Sequence, residues 1–445
     1  MVKSMTSGNP LRLMLAFMIP LLIGNLFQQF YNIADVIIVG RTIGVEALAA
    51  VGATGPVFMA LLGITVGLSA GFTVITGQHY GAGDHNGVRR SFAMSLLLSI
   101  IFSIILTIGM VWSMPYVMHF MNISPKLYDN SYHYIIIIVY GLIAMMLYNL
   151  LSNVCRALGD SKTPLYFLIL ASVINIILAL LFIIQFGWGV AGSAIALVIS
   201  QLIATTACFG YMYKRFPLLR FHVSDWQWDT YFAWQHLRLG IPMALQFVII
   251  SLGILAVQSV CNTFGPETIA GFVSATRMEQ LAMQPMISFG ISMAVYTAQN
   301  YGAGKYERIR QGVHQCSLLS FGFCVIAAVS MFLLGHDVVR LFTTTYDPLL
   351  MKQAMLYVYT SVPCYIFLGQ IFVYRNALQG MGISSVPLVS SLLELFVRGG
   401  AAFGLATIWG YWGICMASPL CWIIACFFTG GCYMYVQHTM KKVGK

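Results

Sequence analysis

Twelve long apolar stretches, at roughly 11–39, 47–77, 90–114, 131–155, 164–186, 190–213, 238–262, 268–300, 312–334, 354–378, 386–408 and 412–436, constrain this chain more than anything else in it. Each approaches or exceeds the ~20 residues an α-helix needs to cross a ~30 Å hydrocarbon core. The runs are unbroken, unlike the ~10-residue alternating segments of a barrel, so they predict helices. Composition agrees: of 445 residues, 59% are hydrophobic and 8% charged, against roughly 25% charged in a soluble domain. A chain so poor in charge cannot cover a soluble globule, nor is it a coiled coil, a collagen or a disordered segment. The expectation is an all-α integral membrane protein.

The formal charge of +10 could suggest nucleic acid, but Lys and Arg form no stripe, and no nucleic-acid partner is expected. They sort instead by side. With the N-terminus inside, 16 basic residues fall on the inner side, Arg89, Arg90, Lys305, Arg308 and the terminal lysines among them, and four on the outer side: Arg41, Lys126, Arg340 and Lys352. This excess places both termini in the cytoplasm. The polar start and the length of the first apolar run argue against a cleaved leader. The ten cysteines sit singly within spans, without CxxC pairs, and read as small core residues rather than disulfides or metal ligands.

The chain repeats itself. Pro20 and Pro242 occupy the same place in their spans; Thr76–Gly83 reads TGQHYGAG and Thr297–Gly304 reads TAQNYGAG; Pro164 pairs with Pro387, and Trp188-Gly189 with Trp412-Gly413. The offsets run from 221 to 224 residues. The organisation predicted is an N-lobe at 1–213 with spans 1–6, a cytoplasmic linker at 214–237, and a C-lobe at 238–445 with spans 7–12. Six spans per half bring both halves into the membrane from the same side, which gives a parallel repeat around a central cleft. Such a frame suits a secondary transporter, with Pro20 as a candidate hinge in the first helix because proline frees a backbone carbonyl.

Other energy sources and chemistries fit poorly. Gly304-Lys305 approaches a P-loop, but Tyr306 follows and Gln299 stands where the first glycine belongs. Gly67-Leu68-Ser69-Ala70-Gly71 matches the GxSxG pattern of a nucleophilic serine. All nine histidines, however, lie in loops or near span ends, and small residues at this spacing serve close helix packing. An intramembrane serine enzyme is the least favoured reading.

Of the 13 carboxylates, only Asp35, Glu279 and Glu394 fall within membrane segments. Each such charge costs at least ~2.5–3.5 kcal/mol on insertion scales, so each must face a cavity, pair or stay protonated. On a helix, Tyr31 (i−4) and Asn32 (i−3) share a side with Asp35, and no basic residue precedes Arg41 on that segment. An unpaired acid in an apolar bundle exchanges between neutral and charged forms near pH 7, so it can carry a proton or join a cation shell. Glu279 shares a segment with Arg277, and Glu394 has Arg398 at i+4, the favourable order for an ion pair. A structural salt-bridge network and a substrate site are both open there. Gln258, Asn262, Gln280, Gln284 and Gln370 add neutral polar groups, and 25 Met with 29 Phe could line a promiscuous pocket.

The run Asp35–Gly55, the two YGAG turns with their following basic residues, Arg277–Pro285 (RMEQLAMQP) and Gly159–Pro164 (GDSKTP) resemble the multidrug and toxic compound extrusion (MATE) transporters, and within them the bacterial MepA-like multidrug export branch. The resemblance implies twelve helices in two lobes and export of amphipathic, often cationic drugs in exchange for protons or sodium ions. It needs no cofactor beyond the coupling ion, and implies a monomer in the bacterial plasma membrane. Asp35 and Tyr31 match the family's first-helix acid and tyrosine, and Asn175 its fifth-helix asparagine. Where relatives often carry a further acid and a threonine, this chain has Ala179 and Leu197; the seventh-helix acid of sodium-type members falls near Ile250 or Ser251. A sodium cage lacking these oxygens is weak, whereas a proton needs one titrating group. The expected coupling set is therefore Asp35, Tyr31 and Asn175, and the expected substrate set Asn32, Gln258, Asn262, Arg277, Glu279, Gln280, Met283, Glu394 and Arg398. A flippase for a lipid-linked or amphipathic metabolite is the alternative, disfavoured by the few intramembrane arginines.

Overall fold

The computed structural model describes residues 4–121, 123–341 and 347–443. Lys3 and Lys445, counted above among the inner basic residues, lie outside them. The first half of the chain folds as α1 (Pro10–Thr42), α2 (Val45–Ala82), α3 (His85–Phe120), α4 (Pro125–Tyr140), α5 (Leu142–Ala157), α6 (Lys162–Leu180) and α7 (Gly189–Arg215). The second half gives α8 (Thr230–Cys261), α9 (Pro266–Gly302), α10 (Tyr306–Leu341), α11 (Pro348–Ser361), α12 (Tyr365–Gly380), α13 (Ser385–Trp409) and α14 (Tyr411–Val443). Among the described residues, eleven helical segments are long and apolar enough to span a bilayer, and twelve when α4 and α5 count as one span bent by 49°. The bend falls at Gly141, where a Cβ would lie 2.3 Å from the Val198 side chain, so glycine lets this joint sit against α7. α8 starts at Thr230, ahead of the apolar run, because amphipathic residues extend the helix beyond its membrane portion.

Two compact units emerge, and their borders cut through helices. One unit contains Ile23–Ala244; the other combines Met5–Leu22 with the chain from Leu245 onward. The changeovers follow Pro20 in α1 and Pro242 in α8, and both helices run through their prolines. Each unit shows the same internal order: α2 packs on α5 and α6 on α7 in the first, α9 on α12 and α13 on α14 in the second.

Within the first unit, the start of α8 lies against α2 at backbone distance. A Cβ on Gly67 would fall 2.5 Å from Ala244 Cα, and one on Gly71 2.4 Å from Gly240 Cα. The GxSxG segment is thus a packing seam: Ser69 is fully buried and its hydroxyl donates to Thr65 O. Beside it, Ser91 Oγ lies 2.8 Å from Thr76 Oγ1 and 3.0 Å from Nε2 of the buried His236, whose Nδ1 is 2.8 Å from Phe232 O. Nδ1–H donates to that carbonyl, so Nε2 accepts from Ser91.

The YGAG turns grip the segments that lead into the crossing helices. Gly83 (φ 76°) and Gly304 (φ 70°) supply the left-handed backbone that turns the chain. After the first turn, Asp84 caps α3 through Gly87 N (2.9 Å), and that amide together with His79 holds its carboxyl below the usual carboxylate range. Arg89 Nε donates to Asp225 (3.0 Å) and Arg90 to Asp229 (3.2 Å), anchoring the approach to α8. In the second unit, Met5 N donates to Gln299 Oε1 (2.7 Å), Lys305 Nζ to Thr6 O (2.8 Å) and Arg308 to Gly8 O (2.9 Å). Met14, Phe17, Met18 and Leu21 then pack with Met293, Tyr296 and Val313, and Ser292 Oγ donates to Met14 O (3.2 Å).

Candidate functional site

The first unit builds its polar site on α1, α4 and α6. Asp35 is half-buried; its Oδ1 is shut from solvent and receives no hydrogen bond. Tyr31, one turn back, and Tyr134 on α4 both lie within electrostatic reach of its carboxyl. Asn175 on α6 is 2% exposed, and neither end of its amide finds a partner. Ile38, one turn past Asp35, packs on the cluster holding Ala179, one turn past Asn175, and Ala196 of α7. Shared packing therefore brings the Asp35 and Asn175 faces toward one another. Asn32 goes elsewhere: it is exposed and accepts from Gln28 (3.3 Å). At i−3 and i−4 the two neighbours flank opposite sides of Asp35, and only the Tyr31 side is turned toward α4.

Tyr134 escaped the sequence reading because nothing in its local run marks it. The repeat could have found it: Tyr357 stands 223 positions later.

The second unit gathers its charges differently from the spacing rules. Glu279 on α9 is half-buried and accepts from Tyr357 Oη of α11 at 3.0 Å, not from Arg277, which is exposed. Two residues along a helix point in nearly opposite directions, which separates Arg277 from Glu279. Glu394 and Arg398, though at i+4, are not hydrogen-bonded to each other. Glu394 pairs with Arg375 of α12, and Ser390 Oγ approaches at 3.4 Å. Gln246, with its amide oxygen facing the guanidinium, accepts from Arg375 at 3.2 Å. Arg398 is 8% exposed and, among the described residues, donates only to Cys421 Sγ of α14 (3.3 Å), while its Nε has no partner there. Glu279, Glu394 and Tyr357 lie within its electrostatic reach. Arg375 thus wins the carboxylate because a cross-helix approach can place the planar fork end-on, which a neighbour on the same helix cannot always do.

The remaining expected residues are dispersed. Gln258, on the last turn of α8, donates to Asn262 just beyond it (2.7 Å); Gln280 is exposed, and Met283 packs on the core around Met278 and Tyr357.

Buried, incompletely satisfied polar groups inside membrane-length helices mark a functional site. The comparisons give the class. The family model MatE matches residues 20–181 and 242–399, one block in each repeat, and the chain belongs to that family of secondary transporters, the multidrug and toxic compound extrusion family. Similar proteins include the probable multidrug resistance protein YoeA of Bacillus subtilis (strain 168), 27% identical over 436 residues, covering 96% of this chain and 94% of that one. An FAD transporter of Shewanella oneidensis is 26% identical (94% and 93% covered). The multidrug export protein MepA of Staphylococcus aureus (strain MSSA476) is 21% identical (93% and 92%). The fold matches the crystal structure of MATE in the bent conformation with a TM-score of 0.92 at 24% identity, over 99% of this chain and 98% of that one.

Proposed function

We propose that this protein is a multidrug efflux antiporter that expels amphipathic, often cationic compounds in exchange for protons, with both termini on the cytoplasmic side. The observation that carries the coupling assignment is the Asp35 carboxyl, which has an oxygen closed to solvent and, among the described residues, no cation or donor bonded to it. A carboxyl permanently tied to a guanidinium would stay ionised; this one is free to take up and release a proton. Tyr31 and Tyr134 lie within electrostatic reach of its charged form, and Asn175 adds an amide near the same face. Proton uptake from outside bends α1 around Pro20 and releases drug; proton loss to the cytoplasm restores affinity. The basic excess on the inner side supports the orientation. The missing oxygens at Ala179 and Leu197 support a proton over sodium.

Proteoliposomes loaded with an ethidium-like dye test this reading, with pH and sodium gradients imposed separately. A proton gradient should drive exchange in the wild type, and Asp35→Asn should abolish it while leaving the protein monodisperse. Sodium-driven transport at clamped pH, or unchanged exchange by Asp35→Asn, would refute it. Export of an anionic amphiphile is the second reading, and similarity to a protein described as an FAD transporter supports it.

A further inference from the structure

The two polar sites are copies of one frame. With the repeat offsets of 221–224, Tyr134 corresponds to Tyr357, Asn175 to Arg398, Leu197 to Cys421, Asp35 to Val257 and Tyr31 to Gly253. These pairs lie on corresponding helices: α4 and α11, α6 and α13, α7 and α14, α1 and α8. The geometry supports the correspondence, because Tyr357, Arg398, Cys421 and Gly253 come together in the second unit. Arg398 bonds Cys421 and feels Tyr357, and a Cβ on Gly253 would sit 3.7 Å from its Cδ and Nη1. The acid has moved from the crossing helix to α9, as Glu279, and the amide of Asn175 has become a guanidinium.

That exchange leaves Arg398 in an unusual position. A guanidinium has five donors, and here, more than nine-tenths buried, it makes one weak bond to a sulfur and leaves Nε unmet. The carboxylates around it are committed elsewhere: Glu394 to Arg375, and Glu279 to the Tyr357 hydroxyl. Burying a guanidinium without a hydrogen-bonded anion is expensive. The glycine at 253 lets the arginine side chain pass at contact distance, where the first repeat has a tyrosine.

We propose that Arg398 is an oxyanion-binding residue: it takes the carboxylate or phosphate group of an amphiphilic substrate, so that zwitterionic and anionic compounds are accepted beside purely cationic ones. This rests on the transport reading above, but not on how transport is driven. The shared oxyanion chemistry also belongs to lipid headgroups, and the test separates the two.

The full chain, in discs of phosphatidylcholine, is titrated at equilibrium by fluorescence anisotropy with two dyes that differ by one group. Rhodamine 110 bears a free carboxylate; rhodamine 123 is its methyl ester and a pure cation. Arg398→Gln should weaken rhodamine 110 about tenfold or more and change rhodamine 123 by less than about threefold. Arg398→Lys should fall between the two proteins, because a point charge replaces a fork. Equal losses for both dyes, or no loss for rhodamine 110, would overturn the assignment. If Arg398→Gln does not fold, Gly253→Leu decides, since its side chain crowds the Nη1 end of an otherwise intact guanidinium: a selective loss of rhodamine 110 supports the site, and an equal loss refutes it. Displacement of rhodamine 110 by added phosphatidylglycerol would hand the site to lipid and overturn its assignment to substrate. No gradient enters the measurement, so failure of Asp35 coupling would leave this result standing.

Discussion

Gly71→Ala adds one methyl group where the helices have no room for it. The new Cβ would lie 2.4 Å from Gly240 Cα, 2.6 Å from Gly240 N and 2.7 Å from Leu239 C, all backbone atoms that no rotamer change can move aside. Carbon atoms in contact prefer roughly 3.5–4.0 Å, so α2 and the start of α8 must part by about 1 Å. Overpacking of this kind costs about 1–3 kcal/mol, and the loss of glycine flexibility returns only about 0.5–1 kcal/mol. The net is a destabilisation centred on ~1 kcal/mol, with an upper end of ~2.5 kcal/mol. Gly109→Ala, where nothing lies within 4 Å of the added carbon, supplies the control and should be neutral or slightly stabilising. Both variants are unfolded reversibly in mixed micelles of increasing dodecyl sulfate content, followed by tryptophan fluorescence. If Gly71→Ala unfolds no earlier than Gly109→Ala, α2 and α8 do not meet backbone to backbone and the packing reading of the GxSxG segment fails.

Arg375→Ala leaves Glu394 buried without its counter-ion and should cost about 3–5 kcal/mol in the same unfolding assay, whereas replacing both residues with methionine should recover most of the loss; a double variant as unstable as the single one would contradict this. Asp225 tests the linker clamp. Burial pushes its carboxyl up, but the His222 amide and the Arg89 guanidinium outweigh that and hold it below the usual carboxylate range. A lowered value in the folded chain means the clamp is complete above the ordinary pKa of about 3.9 and is lost as pH falls through the lowered one. Acid should therefore lower the protection of the amide hydrogens between Phe216 and Asp229, measured as exchange relative to the intrinsic rate at each pH, and Asp225→Asn should show low protection at neutral pH with no further loss in acid.

The spans, their repeat and the presence of a half-buried acid at Asp35 were legible because each rests on local facts: run length, recurrence of short motifs, and the rarity of acids in apolar sequence. The partners were not. At i+4 from Glu394, Arg398 satisfied the helix-spacing rule, yet Arg375 from another helix took the carboxylate. Tyr134 sits among isoleucines with no cue to its nearness to Asp35, although its repeat partner Tyr357 would have drawn attention to it. The exchange of half-helices was equally hidden. Apolar runs report that a helix crosses the membrane and say nothing of which core each half joins.

The exchange also orders the protein's own making. The first unit needs Ala233 and Ala244 for its core, so it cannot close until translation has passed its own repeat and entered the next. Met5–Leu22 waits longer still. Its neighbours include Tyr296, Ile309, Leu378 and Tyr433, so this segment finds its packing partners only after the second half of the chain has been made.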